Sequence, residues 1–271
     1  MECNIVFQAK MDLRLLTIGI TCFLVMLGQH AFTMLAYAQS VPSVQFTSLE
    51  WPPYTAPQLA RQGATSAVVS AAMASMGYRV EVTFYPWNRA VALVRGRSSY
   101  IGYFPEYRSE EANSNFLLSD PIGSGPLGLA EHVDAPVHWD GLDDLAYFQV
   151  GVVTGYINTD GFDDRVRRGR QRVDYASSDK QNLLKLAAKR VSLAVIDRRV
   201  FDYLTRHDPQ VAAVARKLRF NARLLESKHL YICFRRTPEG EHMRKIFNEG
   251  LKKIDVDATM GLALKEILDT P

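Results

Sequence analysis

"ATSAVVSAAMASMGYRVEVTFYPWNRAVALVRGRSSYIGYF", residues 64–104, changes its apolar period three times. Over 64–78, Val68, Val69, Ala72, Met73 and Met76 recur at helical spacing and Gly77 marks the stop, which predicts a helix with a glycine C-cap. From 79 to 85 the period drops to two: Val80, Val82 and Phe84 alternate with Arg79, Glu81 and Thr83, a strand with one buried face. "WNRAVALVRG" returns to a short helix stopped by Gly96, and "YIGYF" to a strand. With the strand "VQFTSL" (44–49) in front, ended by Trp51-Pro52-Pro53-Tyr54, the order is βαβαβ. That is the pattern of helices laid over a largely parallel sheet.

The pattern pauses at "DPIGSGPLGLAEHV" (120–133) and then resumes. Gly123, Gly125 and Gly128 spell a dinucleotide-type G-x-G-x-x-G, but that motif needs a strand turning into a helix whose N-terminus takes the pyrophosphate. Pro126 sits inside it and "LGLAEHV" reads as strand, so the motif is rejected. A second series follows: strand "FQVGVV" (148–153), helix "QNLLKLAAKR" (181–190), buried strand "SLAVI" (192–196), helix "RVFDYLTRH" and strand "HLYICFRR" (229–236). "TPEGEHMRKIFNEGLKKI" predicts a helix capped by Thr237 with Pro238 at its first position, and "DATMGLALKEIL" a last amphipathic helix. The strand-like crossings at "LGLAEHV" and "LLESKHLYICF" divide the chain into one lobe of residues 42–128 plus 230–268 and a second of 129–229.

Residues 1–38 read as a cleaved secretory signal: Lys10 and Arg14, the apolar run Leu15 to Leu27, then Ala36-Tyr37-Ala38 before Gln39. The run is too short for a membrane span, which needs about 20 residues. Met1 and Met11 are both admissible starts. Export predicts a periplasmic protein, and cysteine use agrees, since Cys3 and Cys22 leave with the signal and Cys233 alone cannot form an internal disulfide. Cys233 lies in an apolar strand and reads as a buried free thiol. A net charge of +3 without a basic run interleaved with aromatics gives no indication of nucleic acid. His132, His138, His207, His229 and His242 show no metal spacing, and no cofactor or metal is expected.

In its order of signals the chain resembles the extracellular solute-binding proteins of family 3, the type II periplasmic binding proteins of amino-acid importers. The likeness covers about residues 42–268. "LEWPPYT" stands at the family's aromatic-proline-aromatic turn, and "YPWNRAVALVRG" resembles its aromatic-led helix. "YRSEEANSNFLLSDPI" is similar to its T-x-E-R loop and F-S-x-P-Y segment. "GLDDLAYFQVGVVTGY" resembles the start of its second lobe, and "SLAVIDRRVFDYL" its D-A-V-V-x-D strand end. The resemblance implies an α/β, two-lobed periplasmic-binding-protein-like (type II) fold, with a cleft between lobes joined by two crossing strands. It also implies a monomer that captures a small polar solute, an amino acid or related amine or carboxylate, for the membrane permease of an ABC importer.

The family's loop arginine forks onto a ligand carboxylate, and Arg108 matches it; a solvated surface arginine is the alternative. Asp197, at the end of "SLAVI", matches the family's carboxylate for an α-amino group, and equally reads as the N-cap of the following helix. Trp51 and Trp87 match aromatic wall positions, with a core role as the alternative. Tyr54, Tyr103 and Tyr156 complete the expected ligand-binding set. The chain departs from the family at Gly102, Tyr103, Phe104 and Pro105, where serines and threonines are usual, and at Tyr156 and Ile157, where a hydroxyl residue is usual. More aromatics and fewer small hydroxyls imply a differently shaped site, open to a larger amine, carboxylate or aromatic solute. An enzyme on the same scaffold, dehydratase-like, would need a poised acid or base, for which Glu50, Glu106 and Asp197 are the nominees. No G-x-S-x-G or H-E-x-x-H occurs, and a binding protein without catalytic residues is the expected class. A ligand-sensing periplasmic domain without an importer is the remaining reading.

Overall fold

The computed structural model describes residues 41–96 and 98–269. The expected leader, residues 1–38, lies outside the described residues. The first series forms in the expected order, although β2, at the sheet edge, leaves Val80, Val82 and Phe84 only half-buried. β1 (Ser43–Ser48) lies between β2 (Arg79–Phe84) and β3 (Gly102–Tyr107), parallel to both, with Phe46 in register with Val82 and with Gly102. α1 (Ala64–Ala74) buries Val68, Val69, Ala72 and Met73, the face the sequence marks out. It ends before Gly77, whose φ of 81° is the left-handed conformation that glycine takes without steric cost. α2 (Trp87–Arg95) covers the other side of β1 with Ala90 and Val94. Phe46 is fully buried and meets Phe104 and Phe234 edge-on, at centroid distances of 5.7 and 5.8 Å.

β9 (Leu218–Arg235) is an 18-residue strand that ties the molecule together. Its last residues run antiparallel to β3, Gly102 facing Phe234 and Tyr107 facing Leu230, and to β4 (Phe116–Leu118). Its earlier residues run antiparallel to β5 (Ser124–His132), from Ser124 facing His229 to His132 facing Leu218. β5 then pairs β8 (Leu193–Asp197), which is parallel to β6 (Val150–Val153), itself parallel to β7 (Val173–Ala176). The strand order is β2-β1-β3-β9-β5-β8-β6-β7, so two parallel α/β series face each other through two long antiparallel crossing strands. Gly125 and Gly128 of the rejected G-x-G-x-x-G motif lie on β5, Gly123 just before it, and no helix opens from the motif.

α3 (Glu110–Asn115) follows β3, and α4 (Leu142–Leu145), α5 (Asp160–Arg167), α6 (Asp179–Ala187), α7 (Arg198–His207) and α8 (Pro209–Ala212) belong to the second series. α9 (Pro238–Leu251) and α10 (Val256–Leu268) return to pack on α1. Cys233 is buried and free. The sequence does not foresee α5, β7 or the start of β9 before Leu224. α5 buries only Phe162 among charged residues, β7 leaves Tyr175 exposed at the sheet edge, and Ala222, Arg223 and Leu224 of β9 are exposed, so none of the three shows a clear apolar period.

α9 starts as its sequence dictates: Thr237 Oγ1 accepts from the backbone N–H of Gly240 at 3.2 Å, and Pro238 sits where an N–H would lack a helical partner. Thr237→Ala is expected to cost about 1 kcal/mol, read as a lower urea midpoint at unchanged slope. An unaltered midpoint would show that the cap carries no stability.

Candidate ligand cleft

The chain leaving β1 makes a tight turn, closed by Trp51 N–H to Thr55 O at 2.6 Å and Thr55 N–H to Trp51 O at 3.1 Å. The turn stacks the rings of Trp51 and Tyr54 at 4.6 Å and 26°, and both are buried. Each reaches across to a carboxylate at the start of a helix in the other series. Trp51 Nε1 donates to Asp179 Oδ2 at 3.1 Å, and Tyr54 Oη donates to the Asp197 carboxylate, 3.0 Å from either oxygen. Asp197 also caps α7, accepting from the backbone N–H groups of Arg199 at 2.8 Å and Val200 at 3.3 Å. The Arg199 guanidinium touches Tyr54 Oη at 3.4 Å and donates to the carbonyl of Ser124. A further bridge joins α2 to the loop after β6: Trp87 Nε1 donates to Gly155 O at 2.9 Å.

Aromatic rings fill the space between these bridges. Tyr156 meets Trp51 and Trp87 edge-on at 6.5 and 6.1 Å, Trp51 meets Tyr107 at 6.0 Å, and Trp87 meets Tyr103 at 5.4 Å. They leave a cavity of ≈ 30 Å³ lined by Trp51, Trp87, Tyr107 and Tyr156, with Glu106 as its acid. Trp87, Glu106 and Ile157 also line a larger cavity of ≈ 530 Å³ that runs past Tyr103 and Phe116 to Arg95 and Glu111.

The electrostatics of this region are set by burial. Glu106 sits at the end of β3, where its carboxylate accepts from Tyr107 N–H at 2.8 Å and Tyr103 Oη at 3.2 Å. Desolvation nevertheless pushes its pKa up to about 8, against those hydrogen bonds. The same cause raises Asp179 and Asp197 to about 7, opposed by their donors. Burial pushes the phenols of Tyr54, Tyr103, Tyr107 and Tyr156 up as well, reinforced by the neighbouring carboxylates. Tyr107 Oη is buried and has no hydrogen-bond partner.

Trp51, Trp87, Tyr103 and Tyr156 thus line these two cavities, Tyr54 and Asp197 are bonded to each other out of contact with either, and Arg108 lies elsewhere. Arg108 is exposed, its guanidinium 4.9 Å above the Tyr231 ring, in a separate ≈ 530 Å³ cavity with Ser109, Asp160, Lys228 and His229. Asp197 is 1% exposed and acts as a helix cap as well as the acceptor for Tyr54. Asp179 and Tyr107 escaped the sequence reading. Asp179 repeats Asp197's position, a carboxylate at a strand-to-helix turn of a parallel series, and that spacing was its signal. Among the described residues no cluster of His, Cys, Asp and Glu could hold a metal ion, and no helix is long and apolar enough to cross a membrane.

No family model matches the chain, and no curated protein matches it. Solved structures do. A histidine kinase sensor domain with similarity to periplasmic binding proteins superposes with a TM-score of 0.69 at 19% identity, covering 83% of this chain and 96% of its own. The substrate-binding protein AbpA of an amino-acid ABC transporter from Streptococcus pneumoniae, bound to L-arginine, gives 0.66 at 12% identity, covering 83% and 96%. The GluR0 ligand-binding core from Nostoc punctiforme, in complex with L-glutamate, gives 0.65 at 15%, covering 83% and 99%. The fold is that of the two-lobed periplasmic binding proteins of type II. At these identities the likeness is one of fold.

Proposed function

We propose that this chain is a family 3 type solute-binding protein of the periplasm. Its lobe of residues 42–128 plus 230–268 and its lobe of residues 129–229 close on one small polar solute, and the closed form is handed to the permease of an ABC importer. The observation that carries this reading is the set of side-chain bridges across the cleft, Trp51 to Asp179, Tyr54 to Asp197 and Trp87 to Gly155. Buried polar groups of the two series satisfy one another only when the lobes are together. Solute seated among Trp51, Trp87, Tyr103 and Tyr156 would add to the same closed state by its differential affinity for it. A monomer suffices for this, without a cofactor and without chemistry on the solute. A sensor domain is the second reading, favoured by the likeness to a histidine kinase sensor domain. Pull-down with the candidate permease against a candidate kinase partner separates the two.

The test is native mass spectrometry of protein taken from its own compartment, followed by X-ray scattering with and without the solute found. Compaction on solute addition is expected, and an unchanged radius at saturation would overturn closure. Trp51→Phe keeps the ring but loses the donor to Asp179, and is expected to shift the empty protein toward the open form by about 1 kcal/mol. Identical scattering of variant and wild type would show that this bridge does not hold the lobes.

A further inference from the structure

We propose that the solute held in this cleft carries a primary ammonium group, seated in the aromatic compartment against Glu106, and has no carboxylate beside it. The inference rests on the binding-protein reading above and names the chemical class of its solute. The buried acidic side chains of this region are Glu106, Asp179 and Asp197. Asp197 has the backbone of α7, Tyr54 and the nearby Arg199, and Asp179 has the indole of Trp51. Glu106 has two neutral donors and forms no ion pair among the described residues. The cation whose charge acts on it is Lys228, whose ammonium lies 5.2 Å above the Tyr107 ring and 3.9 Å from Glu226. A carboxylate can accept about four hydrogen bonds, so Glu106 retains lone pairs for a ligand.

A second observation points the same way. Tyr107 lines this compartment and is 7% exposed, and its buried hydroxyl has no partner. An ammonium presents three N–H donors: Glu106 and Tyr107 Oη accept two, and the faces of Trp51, Trp87 and Tyr156 favour the charge. Size decides between kinds of cation. At ≈ 30 Å³ the compartment holds about two water-sized groups, a –CH2–NH3⁺ head but not a trimethylammonium. The ≈ 530 Å³ cavity that shares Trp87 and Glu106 takes the rest of the solute. No residue lining this compartment is cationic, so an α-carboxylate next to the ammonium would face Glu106 without a counter-charge there, and Arg108, which the family resemblance assigned to it, lies in another cavity.

The experiment uses n-hexylamine, hexan-1-ol, hexanoate, hexyltrimethylammonium and norleucine with the whole protein, read by melting temperature and by fluorescence of the cleft tryptophans. Hexylamine is expected to stabilise and to change the fluorescence, with the other four at least about 10-fold weaker. Glu106→Gln is expected to weaken hexylamine by about 10- to 100-fold, and Tyr107→Phe, the second variant should the first fold poorly, by about 10-fold. Equal response to hexanol, hexanoate, hexyltrimethylammonium or norleucine would overturn the proposal, as would no response to hexylamine or unchanged hexylamine binding in both variants. A retained solute that lacks an amine yet compacts the protein would remove the ammonium and leave the binding-protein reading standing. If no solute compacts it, both fall.

Discussion

Asp197→Ala is expected to lower stability by about 3 kcal/mol, while Asp197→Asn raises it at pH 8. The alanine variant removes the cap of α7, worth about 1 kcal/mol, and strands the buried Tyr54 hydroxyl without its acceptor, which costs about 1–3 kcal/mol more. Asparagine keeps an oxygen for the cap and for Tyr54 but carries no charge. The sign follows from the direction of the shift. The folded protein raises Asp197 to about 7, against about 3.9 in the unfolded chain. The neutral carboxyl therefore favours folding, and its contribution is fully present below pH ~4 and lost as pH rises through about 7. Asp179, raised to about 7, and Glu106, raised to about 8, act in the same direction. Urea unfolding of the solute-free protein should show higher stability at pH 5 than at pH 8, by a few kcal/mol on the order expected from such shifts. Asp197→Asn should flatten that dependence. A wild type more stable at pH 8 would contradict the assignment of these groups as acids whose burial outweighs their donors and nearby cations, and an alanine variant as stable as asparagine would deny the cap.

Gly125→Ala is expected to be comparably damaging, although it adds a single methyl on a strand. A Cβ at this position of β5 would stand 2.1 Å from Asp197 Oδ2 and 2.5 Å from Tyr54 Oη. Neither can retreat: the carboxylate is held by α7's backbone, and the ring is stacked on Trp51 with no exposure. Either the Tyr54–Asp197 bridge breaks or the crossing strand shifts, for a loss of about 3 kcal/mol together with weakened solute binding. Gly261→Ala is the control. It lies in α10 with nothing near the added methyl, and should gain up to about 1 kcal/mol. Thermal melting of both variants decides it; a Gly125→Ala protein that melts with the wild type would mean that the bridge is not rigid.

The fold was legible wherever burial imposes a period. α1, β2 and α2 show theirs within a few residues, and the capping signal at Thr237 is local chemistry that needs no partner. α5 and β7 gave no such signal because lone Phe162 and a half-exposed edge strand place few demands on sequence. At the cleft, the strand-end rule located Asp197 and the family resemblance Trp51 and Trp87, but which groups meet was beyond both. Trp51 and Asp179 are 128 residues apart, and their pairing is a property of how the two series face each other. Arg108 marks the same boundary of inference. It follows β3 directly, and the loop it opens carries it to the cavity beside Tyr231, while Glu106 and Tyr107 at the strand's end line the cleft.

The late position of β9 also sets an order of assembly. β3 pairs it on one side and β4 and β5 on the other, so a growing chain that has not reached residue 218 holds three strands with unpaired edges. Neither parallel series can shield its inner edge by local contacts, because the covering strand is still to come. Such edges are templates for pairing with other chains. Long-range closure of this kind is slow compared with the local hairpins of simpler sheets. Until β9 arrives, this protein depends on being kept apart from its own copies.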